Sequence, residues 1–262
     1  MPAAGDAWDP IQYHRFRQER EAPFDDLLAL VQPAPGGRVI DLGCGTGELT
    51  VRLHHHVGAA ATTGVDRSEE MLERAQTLRE PGVGFVSGDI GAFADVASWD
   101  VVAANAALHW VPDHRAVLTR WCAALAPGGQ LAVQVPANLD HPAHVLAATV
   151  AEEFGAGFGG EPPPDPVRSV LAPEAYAELL DVLGFVAQHV RLQVYGHHLA
   201  STAEVVEWMK GTALTRFRAR LDDADYARLL ERYRDRLLAE LGDRRPYFYT
   251  FKRILMWGRA PR

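Results

Sequence analysis

The chain has 262 residues, 48% hydrophobic and 23% charged, proportions of a folded globular protein that exclude disorder. With 26 Lys and Arg against 34 Asp and Glu, a formal charge of -8 offers no overall positive field for phosphate backbones and argues against a nucleic-acid partner. Cys44 and Cys122 form no disulfide framework or CxxC pair, the start has no basic-then-apolar signal pattern, and no unbroken apolar run approaches about 18 residues. A cytoplasmic chain without a membrane partner is expected.

Trp8, Tyr13 and Phe16 precede the first strand at near-helical spacing, as a core stripe or as a flap over a ligand. Strands are then expected at Arg38–Leu42, Ala61–Asp66, Val83–Val86, Trp99–Ala103 and Gln130–Val135. Between them, Glu69–Leu78 and Ala116–Leu125 place apolar residues on one helical face, and Pro127-Gly128-Gly129 turns the chain into the fifth strand. Alternation of this kind predicts an α/β fold with a parallel sheet. After Val135 the rhythm changes. Pro142–Phe154 and Pro173–Leu183 read as helices and Phe185–Tyr195 as a strand. Helices follow over Ser201–Leu241, the first with Thr202 as its cap, and Tyr247–Trp257 is the last strand. About fifty residues of helix between the last two strands exceed what a compact crossover needs. A single domain over 1–262 is expected, with core segments 36–136, 185–196 and 247–259, an N-terminal flap over 1–30, and a helical cap over 137–184 and 200–246.

The strongest local signal is Val39-Ile40-Asp41-Leu42-Gly43-Cys44-Gly45-Thr46-Gly47, a strand entering a triple-glycine turn that opens a helix at Glu48. Such a turn lets a ligand approach the backbone. Nineteen residues after Gly47, Asp66 ends the second strand, where a carboxylate accepts the two ribose hydroxyls of an adenosine. Charge then selects the nucleoside. Asp41 stands two residues before the first glycine, and a like-charge pair at about 4 Å costs on the order of 1 kcal/mol in water and about 4 at an effective dielectric of 20. An acid there opposes a pyrophosphate and favours a cation, as does Glu48. The spacing agrees: Gly43, Gly45 and Gly47 form GxGxG, whereas a dinucleotide fingerprint is GxGxxG.

Asp41 through Gly47, Asp66, Gly88-Asp89-Ile90 and Leu125-Ala126-Pro127-Gly128-Gly129 resemble the successive motifs of the class I S-adenosylmethionine-dependent methyltransferases, over roughly residues 36–136. The resemblance implies a Rossmann-like seven-stranded sheet, its last strand antiparallel, with helices on both faces and an inserted helical lid. It implies S-adenosylmethionine as cofactor, with Asp66 on the ribose, Asp89 and Ile90 flanking the adenine, and Asn105-Ala106 on the methionyl part. Tyr13, Arg20, Asp41, Gly43, Gly45, Arg67, Met71 and Trp110 complete the implied cofactor set.

A narrower resemblance covers nearly the whole chain. Trp8-Asp9-Pro10 with Tyr13, Phe16 and Arg20, Asn105 through His114, Ala132-Val133-Gln134-Val135-Pro136, Glu207 through Thr212, and Phe251-Lys252-Arg253 are similar to the trans-aconitate 2-methyltransferases, which methylate a carboxylate of a small tricarboxylic acid. The chain departs from their GTxLRP block at Gly211-Thr212-Ala213-Leu214-Thr215-Arg216, which moves an arginine by one position. A carboxylate is already a nucleophile at pH 7, so no general base is required. The enzyme must instead hold an anion in line with the methyl group and the sulfur. Arg20, Lys210, Arg216 and Arg253 are the candidate cations, with His109, Trp110, Tyr195, Tyr247 and Tyr249 as lining. A structural ion pair is the competing reading for each cation.

The alternative acceptor is a hydroxyl, nitrogen or carbon of another small metabolite, and for an alcohol or phenol His109 is the candidate base. Outside that class stand a non-catalytic adenosyl-binding module and an NAD-dependent oxidoreductase. No metal site is expected: His54-His55-His56 diverge by about 100° per residue along a helix and read as a solvated helix end.

Overall fold

The computed structural model describes residues 17–262, with side chains from residue 21 onward apart from that of Ala156. Seven strands form one sheet in the order β3-β2-β1-β4-β5-β7-β6: β1 (Arg38–Leu42), β2 (Ala61–Asp66), β3 (Val83–Ser87), β4 (Trp99–Asn105), β5 (Leu125–Pro136), β6 (Ala187–Leu199) and β7 (Tyr247–Arg259). The first five pair in parallel, and β7 runs antiparallel to β5, from Gln130↔Arg259 to Pro136↔Arg253. The expected Rossmann-like sheet with an antiparallel final strand is therefore present. The helices are α1 (Arg17–Leu28), α2 (Glu48–Val57), α3 (Glu69–Gln76), α4 (His114–Ala123), α5 (Pro142–Glu153), α6 (Pro173–Val182), α7 (Glu204–Lys210), α8 (Thr215–Arg218) and α9 (Asp223–Leu241).

The chain divides into two compact units. The sheet unit comprises Glu21–Ala137, Ser169–Gln193 and Lys252–Arg262; the helical unit contains Asn138–Arg168 and Val194–Phe251.

Within the sheet unit, strand alternation sends successive side chains to opposite faces. On one face Val39, Val101, Ala103, Ala132, Leu255 and Trp257 pack with Phe24 and Leu27 of α1 and Leu53 and Val57 of α2. On the other, Ile40, Val102, Leu131, Val133, Ile254 and Met256 pack with Trp121 of α4 and with Tyr176 and Leu180 of α6. Two expected boundaries move as a result. Phe24 and Leu27, expected in the flap, lie in the sheet core together with Val31 just beyond it, because their spacing of three and four residues turns these apolar side chains to one side, against the sheet. Helix α6, expected in the cap, belongs to the sheet unit because its stripe Tyr176, Leu179 and Leu180 is core.

In the helical unit, α9 buries Leu229, Tyr233 and Leu237 against a cluster that includes Trp208, Phe217, Tyr249 and Phe251. Tyr226, Leu230 and Leu241, partly buried beside them, complete the core-facing side of α9. Thr202 is not a helix cap: α7 starts at Glu204 without a side-chain cap. The Thr202 hydroxyl donates to the Gly242 carbonyl at 2.7 Å and accepts from the Arg244 amide at 3.1 Å. Those bonds tie the end of α9 to the start of α7, a long-range use of a hydroxyl that local spacing does not reveal.

The histidine run also differs from expectation. His54 is buried, its Nδ1 lying 2.8 Å from Thr62 Oγ1, while His55 Nε2 reaches Glu80 at 2.7 Å and His56 Nε2 the Val31 carbonyl at 2.8 Å. His54, His55 and Glu80 each offer an atom within 4.8 Å of the others. Adjacent histidines do converge here, because Glu80 from outside the helix supplies the meeting point.

Candidate cofactor and active site

The site in the sheet unit is built where β1, β2, β4 and β5 end. Gly43, with φ +86°, brings the turn so close to the next segment that an added Cβ would lie 2.2 Å from Ala107 Cβ. Gly45, φ +54°, has nothing among the described residues within 4 Å of where a Cβ would stand. The turn is packed on one side and open on the other, and the open side is a cradle that a ligand can enter.

Asp66 fixes this cradle. One carboxylate oxygen accepts from the Gly45 amide and the other from the Ser68 amide, both at 2.9 Å. Each oxygen retains acceptor capacity, which is what a ribose diol needs. Asp41 is 5% exposed, and its Oδ2 accepts from Thr50 Oγ1 at 2.6 Å. Burial lifts its carboxyl to about 6, the Thr50 hydrogen bond works against that, and the negative charge of Asp66 adds to it. A buried anion with a neighbouring anion is a site that a cation relieves. Burial, helped by Asp41 and Asp66, holds the Cys44 thiol far above its usual range, consistent with a small filler rather than a nucleophile.

Asp89 Oδ1 accepts from the Gly91 amide at 2.8 Å, and the Ile90 carbonyl accepts from Trp121 Nε1 at 3.1 Å, so α4 holds the post-β3 loop in place. Asn105 ends β4 beside Gln134 of β5, and Ala106, at φ 52°, donates its amide to the Gln134 carbonyl at 2.9 Å. The next turn, Leu108–Trp110, buries His109 and exposes Trp110, their rings 4.9 Å apart. Arg67 is exposed, whereas Met71 is half-buried in the first turns of α3. Tyr13 and the Arg20 side chain lie outside the described residues.

The residues fit S-adenosylmethionine on observations internal to this structure. The cradle at Gly45 is open, Asp66 has spare acceptors, Asp41 is a buried anion, and the buried Asn105 Oδ1 has no hydrogen-bond partner among the described residues. Two further residues escaped the sequence reading. Thr50 was visible only as part of a helix start, yet it is fully buried and bonded to Asp41. Gln134 was noted only within a longer block, yet it is fully buried, with neither carboxamide atom bonded. A glutamine within an apolar strand was the signal.

The expected acceptor-binding residues are spread over both units. Arg253, 8% exposed, lies on β7 in the sheet unit with His109 and Trp110. In the helical unit, Tyr249 is fully buried, 3.4 Å from Asn138 Nδ2 through its hydroxyl and 4.9 Å from the His141 ring. Tyr247 is buried and Tyr195 half-buried. Lys210 pairs with Glu207 at 3.1 Å. Arg216 pairs with buried Asp165 at 2.6 Å.

A glycine turn on β1, an acid at the end of β2 and an antiparallel β7 define a nucleoside-dependent methyltransferase, and the methyltransferase-domain family matches residues 33–156. The fold resembles the YcgJ protein of Bacillus subtilis, with TM-score 0.60 and 14% identity over 92% of this chain and 99% of that one. It also resembles an S-adenosylmethionine-dependent methyltransferase of Mesorhizobium loti, with TM-score 0.51 and 21% identity over 91% and 98%. The chain is 44% identical to the trans-aconitate 2-methyltransferase of Deinococcus radiodurans over 97% of its own length and 98% of the relative's. It is 38% identical to that of a Mycobacterium species over 97% and 99%. The chain belongs to the trans-aconitate 2-methyltransferase family and is an S-adenosylmethionine-dependent methyltransferase. Among the described residues no helix is long and apolar enough to cross a membrane.

Proposed function

We propose that this enzyme transfers a methyl group to a carboxylate of trans-aconitate, giving a methyl ester. The observation that carries the acceptor is the full-length likeness to relatives bearing that name. S-Adenosylmethionine, when bound, supplies an electrophilic methyl on a sulfonium. Asp66 would receive the ribose hydroxyls, Asp89 and Ile90 would hold the adenine, and Asp41 and Asn105 would hold the cationic methionyl end. The remaining work is to bind an anion, align it and exclude water. A carboxylate already carries the lone pair that would accept a methyl group and has no proton to lose at pH 7, so His109 would not be needed as a base.

A radiolabelled methyl transfer assay with trans-aconitate, followed by mild alkali, tests the reading. A product that loses its label to alkali is an ester. An alkali-stable product, or turnover only with alcohols or amines, overturns it. Preference for NAD over S-adenosylmethionine in calorimetry would overturn the charge argument at Asp41.

A further inference from the structure

Asp41 of β1, Asn105 of β4, Gln134 of β5 and Arg253 of β7 lie on four successive strands of the sheet. By strand alternation all four side chains leave the same face. Val39, Ala103, Ala132 and Leu255, each two residues away on its own strand, pack together in the core on that face. Asn105 is the register partner of Gln134 across β4 and β5, and Pro136 that of Arg253 across β5 and β7. Asp41 is level with Ala103 and Gln134 with Leu255, so the row is a diagonal: strands about 4.8 Å apart and two offsets of two residues at about 3.3 Å each carry it over roughly 20 Å from an anion, through two carboxamides, to a cation.

Gln134 is the unexplained member. It is fully buried, and neither Nε2 nor Oε1 has a hydrogen-bond partner among the described residues. Gln130, four residues earlier on the same strand and face, shows what the fold does with a purely structural glutamine. Its Oε1 accepts from the Gln32 amide at 2.8 Å and from Trp257 Nε1 at 3.0 Å, and its Nε2 donates to the Gln32 carbonyl at 2.8 Å. A buried polar group left unbonded is costly, and an apolar side chain of similar size would avoid the cost. Its retention at Gln134 points to a ligand.

We propose that Gln134 determines specificity for the methyl acceptor, donating from Nε2 to the acceptor carboxylate on the Arg253 side of the row. The assignment rests on the carboxylate reading above. The row's polarity supports the direction: the acceptor atoms of Asp41 and Asn105 suit the cationic methionyl end, and the donors of Gln134 and Arg253 suit the anion. A carboxamide at this place distinguishes a carboxylate from an isosteric apolar group, because its N–H is satisfied only by an acceptor atom.

The test is calorimetric titration of trans-aconitate into full-length protein saturated with S-adenosylhomocysteine, for wild type, Gln134→Leu and Gln134→Met. Titrations of S-adenosylhomocysteine alone and thermal midpoints complete the set. The expected result is a ten- to hundredfold weaker acceptor Kd in both variants, the scale of one hydrogen bond to a charged group. S-Adenosylhomocysteine affinity stays within twofold, and the midpoint without ligand is equal or higher. Gln134→Glu weakens the acceptor further by repulsion. Unchanged acceptor affinity in either folded variant overturns the proposal, as does a loss that falls on S-adenosylhomocysteine instead. Wild type that binds S-adenosylhomocysteine but none of a panel of di- and tricarboxylic acids overturns the carboxylate reading, and this proposal with it.

Discussion

Arg216 Nη1 stands 2.6 Å from Asp165 Oδ2, and both side chains are less than a tenth exposed. His144 Nδ1 lies 3.5 Å from the same Asp165 oxygen. Burial by itself would raise the Asp165 carboxyl, but the His144 hydrogen bond and the Arg216 charge overcome it and hold Asp165 well below the usual carboxylate range. The arginine that the family comparison displaced by one position is therefore engaged inside the helical unit.

The first prediction follows from that pairing. Arg216→Ala strips a buried carboxylate of its cationic partner and leaves it to the His144 ring and the Val167 amide, which costs about 3–5 kcal/mol, whereas Asp165→Asn combined with Arg216→Met removes both charges and recovers most of the loss. Because folding depresses the Asp165 pKa from the usual 3.8, its contribution is fully present above that value and is lost as pH falls from there through the lower folded value. Denaturant unfolding of the three proteins at pH 7 checks the order. A single variant as stable as wild type would mean that the pair contributes nothing.

The second prediction concerns Asp41. Its carboxyl rises from 3.8 in the unfolded chain to about 6 when folded, so the folded state binds a proton more tightly between those values. The sign follows: Asp41 costs nothing below about pH 3.8, and its full penalty applies above about pH 6. Two pKa units correspond to about 2–3 kcal/mol. Asp41→Asn should therefore stabilise the ligand-free protein at pH 8 by about that amount, with little change at pH 4. The same variant should weaken S-adenosylmethionine at least tenfold at pH 7.5, and wild-type affinity should fall as pH drops through 6. Urea titrations at the two pH values and calorimetry test both halves.

Much of this was readable in the sequence, and the reasons it was or was not are physical. Strands β1 and β2 were placed to the residue because β-branched side chains end abruptly at glycine or at an acid. Asp41 and Asp66 could be singled out as candidates because charge and spacing are properties of a short segment. What stayed hidden depends on contacts remote in sequence: the Thr202 hydroxyl serving Gly242 forty residues away, the Arg216 charge answered by Asp165, and Gln134, whose importance lies in bonds it does not make. The early start of β5 has a similar cause. Leu125 pairs with Trp99 before the register shifts at Val101, so the strand runs through the glycines that local rules read as a turn.

The third prediction separates the two roles of Asp66. Its carboxylate holds the Gly45 and Ser68 amides and has acceptors left for ribose. Asp66→Asn keeps one carbonyl acceptor but turns the other position into a donor facing an amide, so the loop loses one anchor. S-Adenosylmethionine affinity should fall a hundredfold or more, and stability by about 1–3 kcal/mol. Calorimetry and thermal unfolding report the two effects separately. Loss of stability with full retention of affinity would remove Asp66 from the cofactor site.

The last prediction contrasts two glycines of one turn. At Gly43 an alanine methyl would overlap Ala107 Cβ at 2.2 Å, and at φ +86° the backbone is strained for any side chain. The overlap is with a methyl anchored to backbone, so β1 and the post-β4 segment must separate, and Gly43→Ala should destabilise by about 2–4 kcal/mol. At Gly45 a methyl meets nothing within 4 Å among the described residues, and only the left-handed backbone is penalised, by roughly 1–2 kcal/mol. Gly45→Ala should therefore fold nearly as well as wild type. Its methyl nevertheless occupies the open side of the cradle, where the nucleoside must approach the backbone, so S-adenosylmethionine affinity should fall tenfold or more. Chemical denaturation ranks the two variants by stability, and calorimetry on folded Gly45→Ala reads the affinity. Full cofactor affinity in Gly45→Ala would show that the ligand does not approach the turn from its open side.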